Sequence, residues 1–286
     1  MSEPLILFDA WPRTPELVCD RPTLEKLYRL GRVVVARARP LNDEELADLV
    51  PKAAIIMGET DLPAERLASA RNLRAVINVS GNFTPNVDYR ACQRSAIYVL
   101  TGGTAFAVPV AEAALAMAID QARGISQHDR EFRAGTEKWA LDGTRGSSFL
   151  FTGSRVGIIG YGELGRALRR MLAPFRNPVQ VFDPWVSSYV IERDDCAPAS
   201  LEAVLDNQVI FVFAAPTTEN QHFLGDRELG LIPDGAVFVL MSRAAVVDFD
   251  ALVRQVGEGR FRAAVDVFPV EPMPLDHPVR RLEGML

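Results

Sequence analysis

Short apolar runs separated by amphipathic stretches set the rhythm of the chain from its first residues. Residues 5–9, 33–36, 53–57, 73–79 and 97–100 are brief and rich in aliphatic side chains, and they read as strands with helical candidates between them. Such βαβα alternation predicts a parallel sheet with helices on both faces, because right-handed crossovers are the usual route between parallel neighbours. The expectation for this part is a flavodoxin-like α/β domain. From residue 107 to about 133 the period lengthens into one long helix, with Val110, Ala114, Met117 and Ala118 on one face. A Gly- and Thr-containing stretch, 135–148, reads as a loop. The strand rhythm then restarts at 156–159, 179–182, 209–214, 236–241 and 263–267, which predicts a second α/β domain.

Length supports two domains, since 286 residues exceed the usual size of one. The expected division is 1–103 and 104–286, with the boundary in the 100–107 region. A net charge of -6 argues against a nucleic-acid or anionic-membrane partner, either of which is met by a basic face. The longest apolar stretch, 105–122, contains Pro109, Glu112 and Asp120 and reads as too interrupted for the ~20 apolar residues of a membrane helix. The start, Met1-Ser2-Glu3-Pro4, lacks the basic and apolar regions of a signal peptide, so a cytoplasmic protein is expected. Cys19, Cys92 and Cys196 show no Cys-x-x-Cys spacing; neither a disulfide framework nor a metal site is expected.

The chemistry concentrates where the second rhythm begins. The strand 156–159 runs into Gly160-Tyr161-Gly162-Glu163-Leu164-Gly165 and then into a helix-like segment. A lone G-x-G-x-x-G is weak, but between a strand and a helix it is the signature of a dinucleotide-binding Rossmann turn. Gly160 permits the tight turn, Gly162 lets the backbone approach a pyrophosphate, and Gly165 allows the helix to pack against the strand. The helix start at Glu163 and Leu164 then faces the phosphates. Asp183 ends the next strand, eighteen residues after Gly165, about where an acid for the ribose hydroxyls belongs. A carboxylate would repel a 2′-phosphate and the following residues are Pro184 and Trp185 rather than arginine, so NAD is the expected cofactor.

At this point the sequence resembles the D-isomer-specific 2-hydroxyacid dehydrogenases over nearly its whole length. The resemblance is carried by residues 156–165, by Phe213-Ala214-Ala215-Pro216-Thr217-Thr218-Glu219-Asn220, by Met241-Ser242-Arg243-Ala244-Ala245-Val246-Val247-Asp248, and by Asp266-Val267-Phe268-Pro269-Val270-Glu271-Pro272. It implies a substrate domain at 1–103 and an NAD-binding Rossmann domain at 104–286. It further implies hydride transfer to or from C2 of a small 2-oxo or 2-hydroxy acid, and a homodimer formed through the nucleotide domain, with residues 132–143 and Trp139 as a candidate contact. Arg243 matches the arginine that binds the substrate carboxylate and carbonyl, a role suited to a rigid fork of donors. A surface ion pair is the alternative for it.

Glu271 matches the acid that orients the catalytic histidine. Asp266 matches the position that contacts the nicotinamide carboxamide, with a strand-end cap as the alternative. Ala215 and Pro216 fall in the cofactor loop. Ser80, Gly81 and Asn82 match the glycine-containing turn whose amides receive the substrate carboxylate, although the chain continues Phe83-Thr84-Pro85 where the family is richer in glycine. The segment 106–112 resembles the helix start near the nicotinamide, with Phe106 in place of the commoner asparagine. The family continues beyond the position of Leu286 to an acid–base histidine, so the chain reads as C-terminally truncated relative to it. His128, His222 and His277 are not carried onto that role. A non-catalytic NAD-responsive binding protein on the same fold, of the kind the C-terminal binding protein corepressors represent, is the alternative function.

Overall fold

The computed structural model describes residues 3–81, 83–138, 148–217 and 220–286, which fall into two compact units, Met1–Phe106 and Ala107–Leu286. The first unit holds strands β1 (Leu5–Asp9), β2 (Arg32–Val35), β3 (Ala53–Gly58), β4 (Ala75–Asn78) and β5 (Tyr98–Thr101) in the order β2-β1-β3-β4-β5, all parallel. This is the flavodoxin-like order expected from the sequence. Ile6, Leu7 and Phe8 of the inner strand β1 are wholly buried, since helices cover both faces of a parallel sheet. Helix starts are written into the sequence: Asn42 accepts Glu45 N–H while Glu45 reaches back to Asn42 N–H, and Asp88 accepts Ala91 N–H at 2.8 Å. At Gly58, where β3 ends against β1, φ is +142° and a Cβ would fall 1.9 Å from the Asp9 carbonyl oxygen, so only glycine fits.

The second unit contains β6 (Val156–Ile159), β7 (Val179–Phe182), β8 (Ala197–Pro198), β9 (Val209–Val212), β10 (Val237–Leu240) and β11 (Arg262–Val265), in the order β11-β10-β9-β6-β7-β8. All pairs are parallel. Every residue of β6, β9 and β10 is buried, which is why these strands read as continuous apolar runs. The chain leaves β6 toward β7 on one side and later returns to β9 on the other. A crevice opens at such a reversal, outside the carboxyl ends of the strands, and ligands of open α/β sheets bind there.

Two expectations need correction. The stretch 107–133 is not one helix: Gly103–Arg123 ends at Gly124, whose φ of +67° breaks the path before Ile125–Ala134 begins. Pro109 is accommodated inside the first of these helices, and its length and composition would suffice to cross a membrane, contrary to the reading of that run as too interrupted. Its role in the fold is different. Ala107, Ala111, Ala114, Ala118 and Ala122, spaced three to four apart, are buried against Ile158, Leu168 and Phe211, and Gln121 donates to the Ala263 carbonyl at 3.1 Å. Sequence reading also missed β8, which has two residues and no apolar run.

Candidate dinucleotide and substrate sites

The turn after β6 is fixed by contacts that leave no choice at two of its glycines. At Gly160 φ is +93°, and a Cβ would sit 2.7 Å from Ala214 N, so the turn lies directly on the segment that leaves β9. At Gly165 a Cβ would meet the Gly160 carbonyl oxygen at 2.6 Å, which is the close approach of the helix Glu163–Leu172 to β6. Gly162 differs, because nothing lies within 4 Å of a Cβ built there. It caps the helix and borders open space, as a backbone cradle for a pyrophosphate requires. Tyr161 points the other way: it is fully buried, its hydroxyl donates to Asp194 Oδ2 at 3.2 Å, and burial holds that hydroxyl well above its ordinary pKa.

Asp183 follows β7 and is half-buried. Its Oδ2 accepts Tyr161 N–H at 2.6 Å, and its Oδ1 accepts the N–H groups of Trp185 at 2.8 Å and Val186 at 3.0 Å. The carboxylate therefore ties the glycine turn to the loop after β7. A carboxylate offers about four acceptor positions, so it retains capacity for a ribose hydroxyl. Open space at Gly162, the absence of room at Gly160 and a fixed acid beside the turn together fit a dinucleotide.

Ala215 and Pro216 follow β9, Arg243 follows β10 and Asp266 follows β11, so parallel pairing puts all of them at the edge of the sheet that carries the glycine turn. The loop after β9 is braced by Asn220, which accepts Thr217 N–H at 2.6 Å and donates to the Ala215 carbonyl at 2.8 Å. Arg243 is exposed and, among the described residues, forms no ion pair; its one hydrogen bond there is to the Ser242 carbonyl at 2.7 Å. The Ser242 hydroxyl beside it is buried and has no partner among the described residues. Sequence reasoning did not single it out, although it stands inside the motif that contains Arg243.

Arg243, Pro216, His222 and Phe268 line one cavity of about 530 Å³. A second cavity of about 510 Å³, lined by Gln121, Gly235, Arg262 and Leu286, shares no lining with the glycine turn or with Arg243. Glu271 is exposed and closes a short turn by accepting Phe268 N–H at 2.9 Å. The other histidines have structural neighbours: His277 Nδ1 accepts Val279 N–H at 3.2 Å, and the His128 ring would lie 3.2 Å from a Cβ at Gly124.

Partial burial raises the Asp266 carboxyl above the usual aspartate range, and the charge of Glu271 adds to the effect. A carboxyl raised on folding contributes stability that is complete below the unfolded pKa and is lost as pH rises through the folded one. Asp266→Asn is therefore expected to raise the thermal midpoint relative to the wild type at pH 7, and the gap is expected to close below pH about 4. Thermal scans across that range check it; identical midpoints at pH 7 would show that burial of this carboxylate is not felt.

In the first unit, Ser80 and Gly81 lie just beyond β4, while Asn82 falls outside the described residues. The Ser80 N–H is already engaged, by Glu59 Oε1 at 2.9 Å. Neighbouring polar groups escaped sequence reading. Asp9 is buried and accepts Thr60 Oγ1 at 2.9 Å and Leu41 N–H at 3.1 Å, and Asn78, also buried, donates to Thr84 Oγ1 at 3.2 Å. The available signal was position: Asp9 and Asn78 are the last residues of β1 and β4.

Comparison with known proteins agrees with this geometry. Residues 115–286 match the family described as D-isomer specific 2-hydroxyacid dehydrogenase, NAD binding domain. A D-3-phosphoglycerate dehydrogenase of Archaeoglobus fulgidus is 28% identical over 250 residues, 86% of this chain and 46% of that protein. A glyoxylate reductase of Thermofilum pendens is 27% identical, with 94% of this chain and 81% of that protein covered. Among solved structures, a phosphoglycerate oxidoreductase from Rhizobium etli superposes with a TM-score of 0.83 at 42% identity, covering 99% of this chain and 86% of that one. The chain spans about half the length of the phosphoglycerate dehydrogenases it matches. A glycine turn that fits a dinucleotide, the strand order around it and these matches agree: the chain belongs to the D-isomer specific 2-hydroxyacid dehydrogenase family and carries that family's NAD-binding domain.

Proposed function

We propose that the protein transfers a hydride between NAD and C2 of a small 2-oxo or 2-hydroxy acid, with 104–286 as the NAD-binding domain and 1–103 as the substrate domain. The observation that carries this reading is the glycine turn, with space at Gly162 and the Asp183 carboxylate fixed beside it. NAD, when bound, supplies or accepts the hydride. Gly162 and the helix start at Glu163, Leu164 and Gly165 hold its phosphates, Asp183 accepts from a ribose hydroxyl, and Ala215, Pro216 and Asp266 border the nicotinamide end. Arg243, free of ion pairs among the described residues, grips the substrate carboxylate and polarises the carbonyl oxygen. Ser80, Gly81 and Asn82 form the substrate-carboxylate turn of the substrate domain, with backbone donors beyond the Ser80 N–H that Glu59 already engages, and Glu271 orients an acid–base group. The matched relatives bear the names phosphoglycerate dehydrogenase, glyoxylate reductase and hydroxypyruvate reductase, which supports a small hydroxy acid as substrate.

Two further elements belong to this reading. A cytoplasmic location is supported by three free cysteines, and a homodimer by the helix Ile125–Ala134, which buries no residue and exposes Ile125 and Phe132. Trp139, the other candidate at that contact, lies outside the described residues. Titration of the protein with NADH by fluorescence, followed by absorbance at the cofactor band after adding glyoxylate, hydroxypyruvate or pyruvate, tests the reading. Saturable binding with oxidation of NADH on one of these acids is expected. No NADH binding would overturn the cofactor assignment, and binding without turnover of any 2-oxo acid would favour a non-catalytic NAD-responsive protein.

A further inference from the structure

Glu59 is the first residue after β3 and is half-buried. Its two carboxylate oxygens face different ends of one turn. Oε1 accepts the Ser80 N–H at 2.9 Å, and Oε2 accepts the Thr84 hydroxyl at 3.0 Å. The bonds cross from the end of β3 to the segment that follows β4, between positions far apart in the chain. Thr84 is held further: its hydroxyl contacts Asn86 Oδ1 and receives Asn78 Nδ2–H at 3.2 Å, and its carbonyl accepts the Tyr89 hydroxyl. A hydroxyl has one proton to give, and a carboxylate is a stronger acceptor than an amide oxygen. Glu59 is therefore the natural recipient, which leaves the Asn86 side chain anchored by its bond to the Thr60 carbonyl at 2.9 Å.

We propose that Glu59 is a positioning residue for substrate binding, a carboxylate clasp that holds the turn at Ser80 and at Thr84 and takes up the Ser80 N–H. This rests on the assignment of that turn to the substrate carboxylate. Two consequences follow from the geometry. The Ser80 amide is satisfied by the protein itself, so an incoming carboxylate must find donors other than that N–H. The position of Ser80 is set before substrate arrives, because Glu59 ties its amide to Thr84, which Asn78 and Tyr89 anchor independently. Such preset geometry matters to a reaction whose rate falls about 10²-fold for an ångström of misplacement. An acid directly after a strand otherwise reads as a solvated end, which is why sequence alone gives it no role.

The experiment compares the wild-type chain with Glu59→Ala and Glu59→Gln by two measurements. One is hydrogen exchange at the Ser80 amide. The other is binding of oxamate, an isostere of a 2-oxo acid that does not accept hydride, to protein saturated with NADH. Glutamine keeps an oxygen to accept Ser80 N–H and an amide to donate to the Thr84 oxygen, so it preserves the clasp. Expected results are exchange at Ser80 accelerated about tenfold or more in Glu59→Ala, oxamate Kd raised about tenfold, NADH affinity unchanged, and both effects restored in Glu59→Gln. Unchanged exchange in Glu59→Ala would overturn the clasp. Faster exchange with unchanged oxamate binding would reduce Glu59 to a structural contact and overturn its positioning role. A wild-type protein that binds NADH but not oxamate would overturn the substrate assignment of the turn, and the positioning role with it.

Discussion

Alanine at Gly160 is expected to destabilise the nucleotide-binding unit strongly, while alanine at Gly162 leaves the fold intact and weakens NADH binding. The two residues are neighbours in one motif, yet their surroundings are opposite. At Gly160 a side chain must adopt φ of +93° and place its Cβ 2.7 Å from Ala214 N and 2.8 Å from the Phe213 carbonyl carbon. Backbone strain of this kind costs about 1–3 kcal/mol and overpacking a similar amount. Together they remove a large part of the ~5–15 kcal/mol that holds a domain together, so a fall in thermal midpoint of roughly 10 °C is expected. At Gly162 the Cβ enters open space, so the midpoint is expected to stay within about 2 °C of the wild type. In the proposed cofactor placement that space receives the pyrophosphate, and a methyl group there is expected to raise the NADH Kd on the order of tenfold or more. Thermal scans and fluorescence titrations of both variants decide the matter. If Gly162→Ala binds NADH like the wild type, the turn does not receive the phosphates in the manner argued.

The second large effect is expected at Arg243. Arg243→Ala should lower kcat/KM for a 2-oxo acid on the order of 10²–10³, as loss of a preorganised donor at a developing oxyanion does, while the NADH Kd changes by less than about twofold. Arg243→Lys should recover little, because an ammonium lacks the planar fork that engages carboxylate and carbonyl together. Steady-state kinetics with NADH titrations on the same preparations check both. Turnover within about tenfold of the wild type in Arg243→Ala would return this residue to the class of ordinary surface arginines.

Most of the architecture was legible because buried parallel strands leave a strong mark. Runs such as Val209-Ile210-Phe211-Val212 are apolar on both faces, and the spacing between runs predicts the crossovers. The glycine turn was legible because its residue types are dictated by backbone geometry. What escaped lacks either property. Ala197–Pro198 forms a strand through pairing with β7 alone, and Gly124 interrupts a helical period that one glycine can also continue. Glu59, Asp9 and Asn78 escaped because a single polar residue at a strand end looks the same whether it is solvated or clasping another loop. Only the long-range contact separates the two, and one sequence does not contain it.

The three amides that converge on Asp183 have a bearing on how NAD would be selected. An aspartate free in solvent must give up rotamer freedom when it meets a ribose, and an immobilised side chain costs about 0.5–1.5 kcal/mol at an interface. Here Tyr161, Trp185 and Val186 have already arrested it. The acid is preorganised as part of the fold, so the ligand meets an acceptor whose place cannot shift. A rigid carboxylate cannot swing aside to admit a 2′-phosphate either. With Asp183 at the ribose as proposed, discrimination between the two nicotinamide cofactors would reside as much in the backbone donors that immobilise this acid as in its charge.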